Sequence, residues 1–224
     1  MIKVYQLPPL TTAHVSIPSY AITPSPLPLD LLKGQERATY DSILESVGDG
    51  AKQALKRLES ELSHIENHPK VMSLRIYLAI QLRQVRKANQ LIEKNYRMNP
   101  QSVGAFLNYA DLLVRKKKIA EFEKLFPRGD LSLKGAFPHM KRFYAADVRL
   151  HLVTMAHFYL AQKRVEEARG YYSSAYKIEP NHPSVIRLEK LLSKGSWKKR
   201  IKWWWQQEIK PLWVAGRKHP QKYK

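Results

Sequence analysis

The sequence contains no cysteine among its 224 residues. This absence excludes a disulfide framework, a thiolate zinc site and a cysteine nucleophile. No apolar run approaches the roughly 18 residues that a membrane-spanning helix needs. The first residues lack a charged leader followed by an apolar stretch, so we expect no secretory signal. We expect a cytoplasmic protein, peripheral to a membrane if the chain binds one.

The catalytic motifs that a sequence can reveal are also missing. There is no GxxxxGK[ST] phosphate loop, no GxGxxG turn, no HExxH zinc motif and no GxSxG nucleophile elbow. His64 and His68 are four residues apart, but the Asn-His-Pro sequence around His68 is typical of a helix end. We therefore predict a protein that is not an enzyme, with no cofactor and no metal site.

Acidic residues are scarce beside basic ones, 19 against 39, which gives a formal net charge of +20. Residues 194–224 alone carry ten Lys or Arg and a single acidic residue, Glu208. A field this positive favours an acidic partner. Charge alone does not choose among nucleic acid, an anionic membrane and an acidic protein surface.

The chain divides into three zones. Residues 1–34 contain six prolines, which fix φ and remove backbone donors, so this zone cannot be regular helix. Its apolar content favours an extended arm packed along the body, and a proline-rich ligand for another protein is the alternative. Residues 35–193 show apolar residues at helical spacing, with Gly and Pro breakers and no convincing run of strands. Residues 194–224 form a basic, tryptophan-rich tail.

Self-similarity divides the helical body into repeats. Residues 162–180 align with residues 82–100 without a gap, so that Ala168 falls on Ala88. Ala54 lies a further 34 residues before Ala88, and the last step contains 12 additional residues. The predicted units are 35–68, 69–102, 103–148 with the insertion, and 149–182, followed by a capping helix at 183–193.

A period of 34 residues with two helices per unit resembles the tetratricopeptide repeat (TPR) family, most clearly over residues 149–182. Small residues let the two helices approach closely, large residues fill the seam and proline follows the second helix. The resemblance implies an all-α, right-handed helical-hairpin solenoid of about four repeats, and an ordinary helical bundle is the alternative. The residues that it places at packing positions are Ala54, Ala88, Ala110, Ala156, Tyr159, Ala168, Tyr172, Ala175 and Pro180.

Proteins of this family usually hold peptides in a concave groove lined by the first helix of each pair. The resemblance assigns this lining to Ser73, Tyr77, Ile80, Gln81, Leu107, Asp111, Val114, Arg115, Val153, His157 and Leu160. The lysine and asparagine clamp that some members use for a peptide carboxylate is absent from these positions. We expect a mostly apolar groove for a hydrophobic helix or extended segment of another protein, or for the chain's own arm.

All five tryptophans lie in the tail. On a helix, Trp197, Ile201, Trp204 and Trp205 share one face, whereas the basic residues lie largely elsewhere. Three hypotheses stay open: docking on the end of the array, anchoring in an anionic membrane, and binding nucleic acid through phosphate contacts and base stacking. The anchor candidates are Trp197, Lys198, Lys199, Arg200, Ile201, Lys202, Trp203, Trp204, Trp205 and Trp213.

The predicted function is a non-catalytic protein–protein interaction scaffold or assembly factor. The alternative is a nucleic-acid-binding accessory protein that uses the tail and the basic turn at residues 115–118. No zinc-finger, RNP-type or helix-turn-helix signature accompanies that alternative.

Overall fold

The computed structural model describes residues 4–24 and 32–193, and the chain is mostly helical there. The predicted tail, with all of its anchor candidates, lies outside the described residues. The helices are α1 (Gly34–Glu45), α2 (Ala51–Glu61), α3 (Pro69–Gln81), α4 (Val85–Met98), α5 (Val103–Arg115), α6 (Ile119–Glu123), α7 (Leu133–Ala136), α8 (Ala145–Ala161), α9 (Val165–Ile178) and α10 (Pro183–Ser193).

Most of these helices form antiparallel pairs joined by short turns. Helix α1 packs against α2, α3 against α4, α5 against the short α6, and α8 against α9. Neighbouring pairs also meet, because α4 contacts α5 and α5 contacts α8. The expectation of a helical repeat is confirmed at this level.

Three of the turns within pairs share one backbone geometry. Arg83, Lys117 and Lys163 each occupy the middle of a three-residue turn, with φ of 58°, 58° and 64°. The next residue donates its backbone N–H, at 2.9 Å in all three turns, to the carbonyl five residues earlier. This bond closes a Schellman-type helix end, in which the left-handed residue is usually glycine. The first two turns are 34 residues apart and the third follows after 46, so the geometry recurs at the spacing found in the sequence.

The core follows the helix pairs. Among the packing residues that the resemblance names, the six alanines and Tyr172 are buried, Tyr159 is partly exposed, and Pro180 is exposed just after α9. One cluster holds the inner sides of α1 to α3, and a larger one holds α5, α8, α9 and the segment between α5 and α8. A small cluster of Ile76, Ile92 and Leu112 lies between them.

Residues 5–23 form short strands, so the expectation of an all-α chain is wrong for this segment. Strand β1 (Tyr5–Leu7) pairs antiparallel with β4 (Tyr20–Thr23), and β2 (Leu10–Thr11) pairs antiparallel with β3 (Ser16–Ile17). Strand β4 also pairs in parallel with β5 (Phe143–Tyr144), just before α8. Strands of two to four residues are too short for alternation to reveal, and their prolines lie between strands, where no ladder N–H is lost.

This strand segment packs into the larger core. Tyr20 is fully buried, its ring meets Phe143 edge-on at 5.8 Å, and its hydroxyl accepts a hydrogen bond from the backbone N–H of Leu133 at 3.3 Å. On α9, a Cβ atom at Gly170 would lie 3.0 Å from Cγ2 of Val15. The missing side chain at Gly170 therefore lets the strand segment approach the helix.

Candidate functional site

The N-terminal ends of four helices meet at one cavity of about 280 Å³. Its lining is Pro69, Lys70 and Ser73 of α3, Ser102, Gly104 and Asn108 at α5, Tyr144, Ala146, Asp147, Arg149 and Leu150 at α8, and His182 and Ser184 at α10. Helix α5 packs against α3 and α8, and α10 packs against α8. Because these four helices begin at the same cavity and pack side by side, they run in roughly the same direction. We call the surface that these four helices present beside the cavity the inner face.

Histidine side chains cap two of these helices. His68 Nδ1 accepts a hydrogen bond from the backbone N–H of Lys70, and His182 Nδ1 accepts one from Ser184, both at 3.2 Å. A proline follows each histidine, at a position where its missing N–H costs nothing. Burial, together with the nearby Arg149, lowers the pKa of His182, which keeps Nδ1 free to accept. The Asn-His-Pro sequence around His68 thus begins α3 as well as ending the segment before it.

Two exposed apolar side chains of the inner face lie on α3. Ser73 lines the cavity, and its hydroxyl donates to the carbonyl of Pro69 at 2.7 Å. Tyr77, Ile80 and Gln81 continue from Ser73 at one-turn spacing, which places them on the same side of the helix. Tyr77 is 44% exposed and Ile80 is 52% exposed; their role in lining a groove stays a prediction.

Three of the predicted groove residues are buried instead. Leu107, Val114 and Val153 belong to the larger core, so their assignment to an open groove is wrong. The side of α5 that opens to the cavity carries Gly104 and Asn108. Asn108 follows Leu107 by one residue, and one residue turns a helix by about 100°, which is enough to exchange core for surface.

The centre of the inner face is charged, so the expectation of a mostly apolar groove is wrong there. Arg115 Nε donates to Oδ2 of Asp111 at 2.7 Å, within α5. His157 of α8 is largely buried, and this burial lowers its pKa. Asp111 opposes that change, whereas Arg187 of α10 and Arg115 reinforce it. Leu160, the last predicted lining residue, is only partly exposed and packs against the larger core.

The cavity adds polar groups that sequence reasoning missed. Lys70 Nζ lies 5.9 Å from the centroid of the Tyr144 ring, and Arg149 forms an ion pair with Glu179. Asn108 and Asp147 offer further polar atoms to the cavity. Lys70, Asn108, Asp147 and Arg149 lie in the first two turns of their helices, outside the lining positions that the family resemblance carries over. The signal that could have found them is the set of helix starts themselves, such as His68-Pro69 and His182-Pro183.

The remaining candidates do not gather into a reactive site. Within residues 4–24 and 32–193, no three side chains of the metal-binding types come together. His64 pairs with Glu36 at 3.3 Å rather than with His68. Among the described helices, none combines the length and the hydrophobicity needed to cross a bilayer.

The sequence and the structure were compared with those of known proteins. No protein-family model matches the sequence, and no curated protein matches it. Among solved structures, the chain is similar to one described as "MamA RS-1 ArsTM double mutant". The identity is 13% and the TM-score is 0.48, over 85% of this chain and 100% of the other.

Proposed function

We propose that the chain is a non-catalytic scaffold that binds a segment of another protein on its inner face. The observation that carries this is the exposure of Tyr77 and Ile80 beside a cavity that also presents polar groups. A bound peptide uses apolar side chains as anchors and needs donors and acceptors for its backbone. The inner face offers both within one continuous surface.

The proposed architecture is a right-handed solenoid of about four repeats. In such an array each pair leaves an apolar side that the next pair covers, and the last pair needs a cap. The support for α10 as this cap is that it contacts both α8 and α9. Val185, Leu188 and Leu192 are buried on its inward side.

The chemistry of the face indicates what kind of segment it takes. Two arginines, Arg115 and Arg187, act on His157 against one carboxylate, Asp111, and burial holds His157 towards its neutral form. The centre of the face therefore favours an acidic group, whereas Tyr77 and Ile80 favour an apolar one. Two neighbouring helix spacings of 8–10 Å separate α3 from α8, which is roughly 20 Å or six extended residues. We propose a segment with an apolar anchor and an acidic residue about that far apart.

The inner face can be tested by a paired substitution. Segments selected from a displayed peptide library against the full chain would be measured against Tyr77→Ala/Ile80→Ala. Binding is expected to weaken at least tenfold, because both apolar anchors are lost. The matched control is Val85→Ala/Met98→Ala on α4, whose side chains are 59% and 54% exposed. Equal affinity of the two double variants for every selected segment would overturn the proposed site.

For the tail, we propose docking on the array end or on an anionic membrane, with nucleic acid as the alternative ligand. All tryptophans lie in residues 194–224, so intrinsic tryptophan fluorescence reports on the tail alone. If anionic vesicles, and no other ligand, shift the emission to the blue, the result supports membrane anchoring. An emission that is already blue and that no ligand changes supports docking on the array. If single-stranded nucleic acid, and not vesicles, quenches the emission, the result supports nucleic acid as the ligand of the tail.

A further inference from the structure

A row of basic side chains lies at the edge of the array opposite the cavity. Helices α3, α5, α8 and α10 begin together at the cavity and run in the same direction, so they end together about 16–25 Å away. The turns that follow the first three hold Arg83, Lys117 and Lys163. We call these three residues the turn edge.

Within residues 4–24 and 32–193, no carboxylate neutralises the charges of the turn edge. Several basic neighbours do have carboxylate partners: Lys116 pairs with Glu93 at 2.9 Å, and Lys118 with Glu121 at 2.8 Å. Arg83, Lys117 and Lys163 are exposed, and no carboxylate of the described residues forms an ion pair with any of them. Three unpaired cations therefore stand at equivalent positions of successive pairs.

The backbone makes these positions unusual places for a long side chain. All three residues have positive φ, the left-handed conformation that favours glycine at a helix end. A side chain there costs stability, and no ion pair among the described residues offsets that cost. By contrast, the turn of the first pair, residues 46–50, contains two glycines and no basic residue. The recurrent charge therefore points to a ligand outside the chain.

We propose that the turn edge binds an anionic lipid bilayer. Helix α10 ends at Ser193 on this same edge, and the sequence continues there into ten basic residues and all five tryptophans. Tryptophan favours the bilayer interface, and basic residues favour anionic headgroups. In this arrangement, which rests on the membrane role proposed for the tail, the turn edge and the tail meet one surface from one side. The cavity then lies on the opposite edge of the array, which points away from the bilayer.

The geometry favours a flat surface over a nucleic acid strand. Single-stranded nucleic acid is held in a basic groove with aromatic rings open for stacking. The turn edge is a row of protruding turns, and the ring of Tyr159, four residues before Lys163, already has two partners in the chain. The Arg164 guanidinium lies 4.7 Å above its centroid, and the Tyr171 ring stacks on it at 5.4 Å.

The test is binding of the full chain to phosphatidylcholine vesicles with and without phosphatidylserine. The variant is Arg83→Gln/Lys117→Gln/Lys163→Gln. Its matched control is Arg97→Gln/Lys141→Gln/Lys177→Gln. It removes the same amount of charge near the cavity, at the ends of α4 and α9 and in the loop before α8. We expect the turn-edge variant to lose at least tenfold in affinity for anionic vesicles, because each basic residue near such a surface contributes about fivefold. The control is expected to lose much less.

A second variant separates charge from misfolding. Arg83→Gly/Lys117→Gly/Lys163→Gly suits the left-handed turns and removes the same charges, so it is expected to stay folded and to lose the same affinity. Equal losses in the turn-edge and control variants would overturn the proposal. So would equal binding to neutral vesicles, or binding of single-stranded RNA in place of vesicles.

The outcomes also separate the turn edge from the proposed function. Vesicle binding that survives the turn-edge variant but not Trp203→Ala/Trp204→Ala/Trp205→Ala overturns the turn edge and supports the tail. No vesicle binding by the unmodified chain overturns both membrane roles, whereas the peptide assay on Tyr77 and Ile80 is unaffected by that result.

Discussion

The left-handed residues Arg83, Lys117 and Lys163 carry a local cost that can be measured. In this conformation Cβ crowds the following carbonyl, and glycine avoids that contact. Replacing each residue in turn with glycine is expected to raise the free energy of unfolding by about 0.5–1 kcal/mol. Urea unfolding of the three single variants measures the change.

The control for these glycine substitutions is Arg86→Gly in α4. This exposed helical residue has an ordinary backbone, so glycine is expected to lower the free energy of unfolding by about 1 kcal/mol. A loss of stability at all three turns, like that at Arg86, would show that the positive φ values are not strained.

His151 makes the stability of the protein depend on pH. It is buried beside the rings of Tyr20 and Phe126, with centroids at 6.4 and 6.2 Å. Burial lowers its pKa to about 3, and Asp130 opposes this only in part. An unfolded histidine has a pKa of about 6.5, so between these values the unfolded state binds a proton that the native state does not. The stability that depends on neutral His151 is therefore fully present above pH 6.5 and is lost as the pH falls towards 3.

The variant His151→Gln removes this titration and keeps a polar side chain. Between pH 6.5 and 4 the native protein is expected to lose up to about 1.4 kcal/mol per pH unit more than the variant. Urea unfolding across that range measures the difference, with the exposed His139→Gln as control. Parallel stability curves for the native protein and the His151 variant would contradict this expectation.

Among the elements, the strand segment and α9 depend on each other at Gly170. Alanine there would favour the helix by about 1 kcal/mol, but its Cβ would press on Val15. Gly170→Ala is therefore expected to be more favourable in a Val15→Ala background than in the native one, by about 1 kcal/mol or more. A double-mutant cycle of thermal or urea unfolding measures this coupling. Additive effects would mean that the strand segment is not held against α9 in solution.

The helix pairs could be predicted because their signals are local. Small residues, breakers and the 34-residue period all lie within or between neighbouring helices. The pairing of β4 with β5 joins residues far apart in the chain, and no local pattern of two to four residues encodes it. The assignment of Leu107 and Val114 of α5 to an open groove is wrong because of contacts that are also distant in the chain. The insertion places Phe126 and Phe137 edge-on to Phe106, at 5.3 and 5.2 Å, so α5 is packed by side chains that a regular repeat lacks.

At the scale of the whole molecule, two cores are joined by a narrow contact. The core of α1 to α3 and the larger core are joined by the buried residues Ile76, Ile92 and Leu112, beside which Tyr96 of α4 stacks on Tyr109 of α5 at 4.5 Å. In repeat arrays stability spreads only through such neighbour contacts. We expect amides of α1 and α2 to exchange with solvent at lower free energy than those of α8 and α9, as hydrogen-exchange mass spectrometry would measure.

The variant Ile92→Ala tests the narrow contact directly. It is expected to speed exchange in α1 to α3 and to leave α8 and α9 nearly unchanged, because it removes a buried side chain between the cores. The control is Leu188→Ala in α10, a fully buried residue of the larger core. Uniform acceleration by both variants would mean that the chain unfolds as one unit.

The parallel pairing of β4 with β5 also sets an order of events on the ribosome. Ile22 pairs with Phe143, so its partner is synthesised about 120 residues later. At 5–20 residues per second this delay is roughly 6–24 s. Helices α1 to α5 emerge and can associate during that interval, while Ile17, Tyr20 and Ile22 have no core to enter. The first strands to be made are thus among the last parts of the nascent chain to be buried, and a factor that shields apolar nascent segments would act there.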